Sequence, residues 1–184
     1  MQKKDQYTQY RSLIFTFKNI YNFYPGDMPI ANQIWPSANN GNGNGLIGDN
    51  TETAEVWVHL NFANLVPYSS SPSFDILNNT SVSISNSSTV IYSVAARTKT
   101  YISLVPTIGT TNIISPLSAY NMDIKTDDGI PNTGRMLTFN LAPTVACVKQ
   151  ANGTTNAIYT YTGSATYYVL NTFDACNKMY FYLE

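Results

Sequence analysis

Charge is what this chain has least of. Only 11% of its 184 residues are Asp, Glu, Lys or Arg, and the formal net charge is −1. A surface so poor in lysine and arginine gives no electrostatic footprint for nucleic acid or for an anionic membrane face. Histidine is reduced to His59, and cysteine to Cys147 and Cys176. One histidine and no Cys-x-x-Cys exclude the usual zinc ligand sets. The two cysteines pair if the compartment is oxidising, or else sit as buried thiols. No apolar run approaches the ~20 residues of a membrane-spanning helix. There is no Gly-x-Ser-x-Gly elbow and no phosphate-cradling glycine loop. His59 lies in an aromatic-rich helical stretch and reads as structural rather than as a base. Asp127 and Asp128, adjacent in a turn, cannot flank a substrate as glycosidase carboxylates do. The expectation is a protein without catalysis, small-molecule substrate or nucleic-acid partner.

What is present is Asn, Ser, Thr and 14 tyrosines. Thr and Tyr suit strands, Asn and Ser suit turns, and together they suit an exported, β-rich body. The length fits one domain over residues 1–184 with a sizeable core. Tyr10, Leu13, Phe17, Ile20 and Tyr21 recur at helical spacing, which predicts a helix over 1–24. Pro25-Gly26 stops it. Residues 25–66 then read as an Asn- and Gly-rich connection, anchored by Trp35-Pro36, and a second helix over 52–65. That helix places Val56, Trp57, Leu60 and Ala63 on one face, with Asn50 or Thr51 as its cap.

From residue 81 the period shortens. Val82 and Ile84 alternate with serines, and strands are expected at 89–94, 101–105, 135–141, 145–148, 158–162, 166–170 and 179–183. Asn152-Gly153 and Thr162-Gly163 are turn signals. A short helix over 116–125 interrupts this body, with Ser115 as N-cap, Pro116 in the first turn, and Leu117, Tyr120 and Ile124 on one face. The class is α+β: an N-terminal helix packed across an antiparallel sheet, with a helical and loop excursion between them.

Two blocks carry a family resemblance. The first runs Phe23-Tyr24-Pro25-Gly26-Asp27-Met28-Pro29, then Gly41-Asn42-Gly43-Asn44-Gly45, then Glu52-Thr53-Ala54-Glu55-Val56-Trp57-Val58-His59-Leu60. The second is Asp123-Ile124-Lys125-Thr126-Asp127-Asp128-Gly129-Ile130-Pro131-Asn132-Thr133-Gly134. In this order they resemble type IV pilin-like proteins, and more specifically the type II secretion pseudopilins of Gram-negative bacteria. Residues 67–111 match nothing in that pattern.

The resemblance implies a pilin-like fold and a structural role in a type IV pilus, competence or type II secretion filament. It also implies other pilin or pseudopilin subunits as partners, and a cell-envelope location. The inner membrane would be reached through a long apolar N-terminal helix, which Met1-Gln2-Lys3-Lys4 and the helix predicted over 1–24 do not provide. The chain then reads as the globular part of such a subunit, or as a soluble relative. A Cys147–Cys176 disulfide is likewise implied. The competing class is a secreted adhesin-like module that exposes Tyr159, Tyr161, Tyr167, Tyr168, Tyr180 and Tyr182 on strand faces.

Calcium is the one cofactor that the residues suggest. Asn40, Asn42 and Asn44 fall at positions one, three and five of an EF-hand-like loop, Gly45 at six, and the Leu46 carbonyl at seven. Position twelve is Thr51 rather than glutamate, so Glu52 or Glu55 would have to complete the cage. The other reading is an Asn-Gly loop whose side chains cap their own backbone. Asp123, Asp127 and Asp128 are a second candidate set, set against helix capping and solvated carboxylates.

Overall fold

The computed structural model describes residues 3–48, 50–68, 80–87, 99–106, 113–139, 147–150, 165–167, 176 and 178–183. Helix α1 (Lys3–Tyr21) turns Tyr10, Ile14 and Phe17 into the core. Tyr7 adds to this line, stacked on Phe181 at 4.6 Å, while Tyr10 meets Trp57 edge-on at 5.6 Å. Two expectations shift here. Ile14 rather than Leu13 is at the centre of the buried face, and Ile20 is 57% exposed. At 100° per residue, positions 10, 14, 17 and 21 stay aligned while 13 and 20 fall to the flank. The helix also stops before Pro25: Asn22 takes a left-handed conformation (φ 62°) and its N–H closes on Lys18 O at 2.8 Å, a residue type that tolerates this cap.

The connection contains one short helix, α2 (Ala31–Ile34), and Trp35 packs as expected. Its ring lies 5.2 Å from Tyr21, 5.8 Å from Phe62 and 6.0 Å from His59. Helix α3 (Asn50–Phe62) begins earlier than expected, so its cap position falls at residue 49, outside the described residues. Asn64 (φ 55°) ends it, with Leu65 N–H on Leu60 O. Val56, Trp57 and Leu60 are buried as expected, and so are Glu52, Glu55 and His59 on the other sides of the same helix.

The main sheet is antiparallel, in the order β1 (Thr80–Ser87), β2 (Lys99–Pro106), β6 (Lys178–Tyr182), β3 (Met136–Phe139). Its register places Ile84 beside Ile102, Ile102 beside Phe181 and Phe181 beside Met136, one continuous apolar row in the core. A small antiparallel pair, β4 (Val148–Gln150) and β5 (Ala165–Tyr167), completes the strands described. Helix α4 (Pro116–Thr126) starts where Ser115 Oγ accepts the Ser118 N–H. Cys147 and Cys176 form a disulfide, which fits an oxidising, extracytoplasmic setting. The class is therefore α+β. No helix among the described residues is long and apolar enough to cross a membrane.

Tyr167, Tyr180 and Tyr182 are 8%, 8% and 2% exposed, so these three belong to the core rather than to an open tyrosine face. Tyr159, Tyr161 and Tyr168 lie outside the described residues, as do the expected strands at 89–94 and 158–162 and the turns at 152–153 and 162–163.

Candidate metal centre

The glycine-asparagine loop lies on the N-terminal half of α3. Asn40 Oδ1 accepts from the Asn32 N–H, Asn42 Oδ1 from Asn44, and Asn44 Oδ1 from Leu46, each within 2.8–2.9 Å. Each amide oxygen thus accepts from a different backbone donor and keeps one lone pair; for Asn42 and Asn44 the donor lies two residues on, the geometry of self-capped turns.

The carboxylates around the loop do the same work from outside. Glu52 accepts from the N–H groups of Asn42 (2.9 Å) and Gly48 (2.8 Å), and Glu55 takes both the Asn39 N–H and its side-chain amide. Asp27, unremarked as a ligand in the sequence, is fully buried and accepts from Asn44 (3.0 Å) and Gly45 (2.9 Å). Burial pushes its carboxyl above the usual range, the Gly45 N–H pulls it back, and Glu52 adds to the rise.

His59 closes the arrangement. Gly26 N–H donates to its Nδ1 at 2.9 Å, so the proton sits on Nε2 and is donated to the Asn39 carbonyl at 2.9 Å. Burial lowers its pKa, which keeps the ring neutral and leaves it a structural bridge.

The late acidic turn is different in kind. Asp123, Asp127 and Asp128 each bring an oxygen to within 4.8 Å of the others. That spacing is about twice the calcium–oxygen distance of about 2.3–2.6 Å, the separation of ligands on opposite sides of one ion. Asp123 leaves the last turn of α4 and is buried; its Oδ1 accepts from Gly129 N–H (3.3 Å) and its Oδ2 from the Tyr167 hydroxyl (2.8 Å). Burial lifts its pKa to about 6, against the pull of the Tyr167 hydrogen bond.

Asp127 Oδ2 accepts from Arg135 and Met136 N–H, and a Cβ on Gly134 would run into that carboxylate. Asp128 accepts from Ile130 N–H (2.8 Å) and the Thr133 hydroxyl (2.6 Å). Each carboxylate keeps lone pairs, so the three can hold a divalent cation. Among the described residues this is the one group of three or more acidic, His or Cys side chains with that geometry.

Comparison with known proteins finds no match among family models, curated proteins or solved structures. The reading of this site therefore rests on its own chemistry. The sequence pointed to the three aspartates through their spacing, but not to Tyr167, which is 44 residues from Asp123 in the chain, nor to Thr138, whose hydroxyl is 2.8 Å from that of Tyr167. No local pattern announces such a partner.

Two predictions arise here. Added calcium should raise the thermal midpoint by mass action, binding to the folded state adding about 2.7 kcal/mol of stability at a hundredfold excess over Kd. The rise should vanish in Asp128→Asn, survive Asn42→Ala with Asn44→Ala, and shrink at pH 5, where a proton holds Asp123 against the ion. Differential scanning calorimetry with calcium and with chelator reads all three.

Without metal, Asp123 titrates near 6 in the folded chain against a usual 3.8, so the folded state holds the proton more tightly. Its contribution is complete below about pH 4 and is lost as pH rises through 6, a change of about 3 kcal/mol at about 1.4 per pKa unit. Asp27 leans in the same direction. Asp123→Asn, which can accept from Gly129 and donate to Tyr167, should flatten urea-unfolding stability across that window.

Proposed function

We propose that this chain is the globular part of a pilin-like structural subunit, working outside the cytoplasm in a type IV pilus, competence or type II secretion filament of a Gram-negative cell. The observation that carries the reading is the way α1 is held. Tyr7, Tyr10, Ile14 and Phe17 fix one side of the helix to the sheet and to α3, and an Arg11 Nη2–H reaches the Leu183 carbonyl at 3.3 Å. Thr8, Ser12, Thr16 and Asn19 stay exposed along its other side. A helix so fixed is a mechanical continuation of an apolar stalk, and its open side is available to neighbouring subunits. The buried joint at Gly26, Asp27 and His59 makes its far end rigid. The disulfide suits assembly in an oxidising space.

The partners are further pilin or pseudopilin subunits, with the inner membrane reached through an apolar helix ahead of α1. An ion in the acidic turn would stiffen the loop after α4 without taking part in a reaction. Immunogold labelling of sheared surface filaments and of envelope fractions, with antibody to this chain, tests the proposal. Labelled filaments or an envelope-bound pool are expected. Recovery solely as free monomer in the medium overturns it.

A further inference from the structure

The glycine-asparagine loop carries three Asn-Gly pairs, Asn40-Gly41, Asn42-Gly43 and Asn44-Gly45, and all three asparagines are exposed. In such a pair the main-chain nitrogen of the glycine can attack the asparagine Cγ and close a five-membered imide. Glycine puts no Cβ in the way, and the reacting atoms are neighbours in one chain. The fold treats the three pairs differently.

Gly41 and Gly43 are held on backbone. The Gly41 N–H donates to the Met28 carbonyl and the Gly43 N–H to the Asp27 carbonyl, each at 2.9 Å. A peptide carbonyl is too weak a base to take an amide proton, so these bonds restrain the nitrogens without activating them. Both glycines are also crowded. A Cβ on Gly41 would run into the backbone of Gly26 and Asp27, and one on Gly43 would stand 3.0 Å from the Pro29 ring.

Gly45 differs on both counts. Nothing lies within 4 Å of the place its Cβ would take, and its N–H donates to a carboxylate oxygen, Asp27 Oδ2, at 2.9 Å. That is the reach a general base needs, and burial, by raising the Asp27 pKa, makes it a stronger one. On the electrophile, Asn44 Oδ1 accepts the Leu46 N–H at 2.8 Å, a donor placed where negative charge develops when Cγ is attacked. We propose that Asn44 is a site of self-deamidation, with the Gly45 nitrogen as nucleophile, Asp27 as proton acceptor and the Leu46 N–H as oxyanion donor.

The Gly45 nitrogen bonds to Asn44 Cγ as its proton passes to Asp27. The tetrahedral centre then expels the side-chain amino group, which takes that proton and leaves as ammonia. Water opens the imide: attack at Cγ restores the main chain and leaves aspartate at position 44, and attack at the main-chain carbonyl leaves an isoaspartyl link. One water is consumed, one ammonia is released, and nothing is oxidised or reduced. Either product loosens the clamp. The aspartate brings a like charge to a residue whose N–H rests on Asp27 Oδ1 at 3.0 Å, and the longer isoaspartyl backbone draws Gly45 away from Oδ2.

The inference does not depend on filament assembly, since every group belongs to one chain. Peptide mapping by fragmentation mass spectrometry, after incubation of the purified domain at neutral pH, reads the three sites separately. Enzymatic methylation of isoaspartate reads the second product. In the folded chain Asn44 should lead Asn40 and Asn42 by about tenfold or more. In urea Asn44 should slow, parted from Asp27 and Leu46, and the three sites should converge. Gly45→Ala, whose Cβ meets open space, should keep the fold and stop reaction at Asn44. Asp27→Asn, checked for folding by circular dichroism, should erase the lead. The proposal is overturned if the folded chain reacts equally at all three sites or first at Asn40 or Asn42, if urea speeds Asn44, or if folded Asp27→Asn reacts at Asn44 as fast as the parent.

Discussion

Gly26→Ala is expected to destabilise the fold by about 3 kcal/mol or more, the sum of a strained backbone at about 1–3 and overpacking at about 1–3. Gly26 has φ +89°, where an L side chain is strained. An added Cβ would also run into the Glu52 carbonyl oxygen and sit 3.1 Å from Val56 Cγ2. That oxygen belongs to the backbone of α3, which cannot swing aside as a side chain can. Any retreat of residue 26 also draws its N–H away from His59 Nδ1, and through His59 loosens the Asn39 carbonyl. The loss should therefore reach the whole glycine-asparagine loop. Gly45→Ala is the control: its φ is +85°, yet nothing lies within 4 Å of an added Cβ, so strain alone should cost about 1 kcal/mol. Urea unfolding of both variants reads the difference as a shift in midpoint at constant m-value. Equal costs would remove the steric part of the argument.

Removing the disulfide should rank with it. Cys147 and Cys176 are 29 residues apart, and in the chain-entropy account closing such a loop is worth about 3–4 kcal/mol. Both residues are fully buried, and the bond joins the start of β4 to Cys176, which bridges to Ile114 just ahead of α4. The β4–β5 pair contributes Tyr167, whose hydroxyl is the buried partner of Asp123. Burial and the nearby Asp123 carboxylate raise the Tyr167 pKa, so the phenol stays protonated and able to donate.

Cys147→Ala with Cys176→Ala should thus have a second signature. Once β5 loosens, water reaches Asp123, its pKa falls towards the ordinary range, and the stability change between pH 4 and 6 diminishes. Unfolding curves of this double variant at pH 4 and pH 7 check both effects together. A variant that lost stability equally at both pH values would show that β5 holds Tyr167 in place without the disulfide.

A cation held by the acidic turn is expected to act on stability and not on chemistry. Asp127 reaches the N–H groups that open β3, Asp128 ties down residues 130–133, and Asp123 reaches across to β5. A cation there would gather three segments at one point.

Some of this was readable from the chain by itself. The periodicity around Tyr10, Phe17 and Tyr21, the stop before Pro25-Gly26, the Trp35 anchor, and α4 with its Ser115 cap depend on residues within one or two turns of each other. So does the alternation of Val82 and Ile84 with serines, which set the buried face of β1. Helical and strand periods are local, and local terms decide them.

Other features are invisible at that range. Asn42 and Asn44 resemble ion ligands by spacing, and only the folded loop shows their oxygens turned to the backbone of Asn44 and Leu46. Asp27 becomes a clamp because Asn44 and Gly45, 17 and 18 residues later, present their N–H groups to it. On β6, Tyr180 and Tyr182 alternate with Met179 and Phe181 and so lie on the opposite face of the sheet, and only packing decides that this face, like Tyr167 on β5, is covered as well. A side chain's pattern along the chain sets which element it joins; the partner it meets, and so what its charge or hydroxyl does, is decided by segments that only packing brings together.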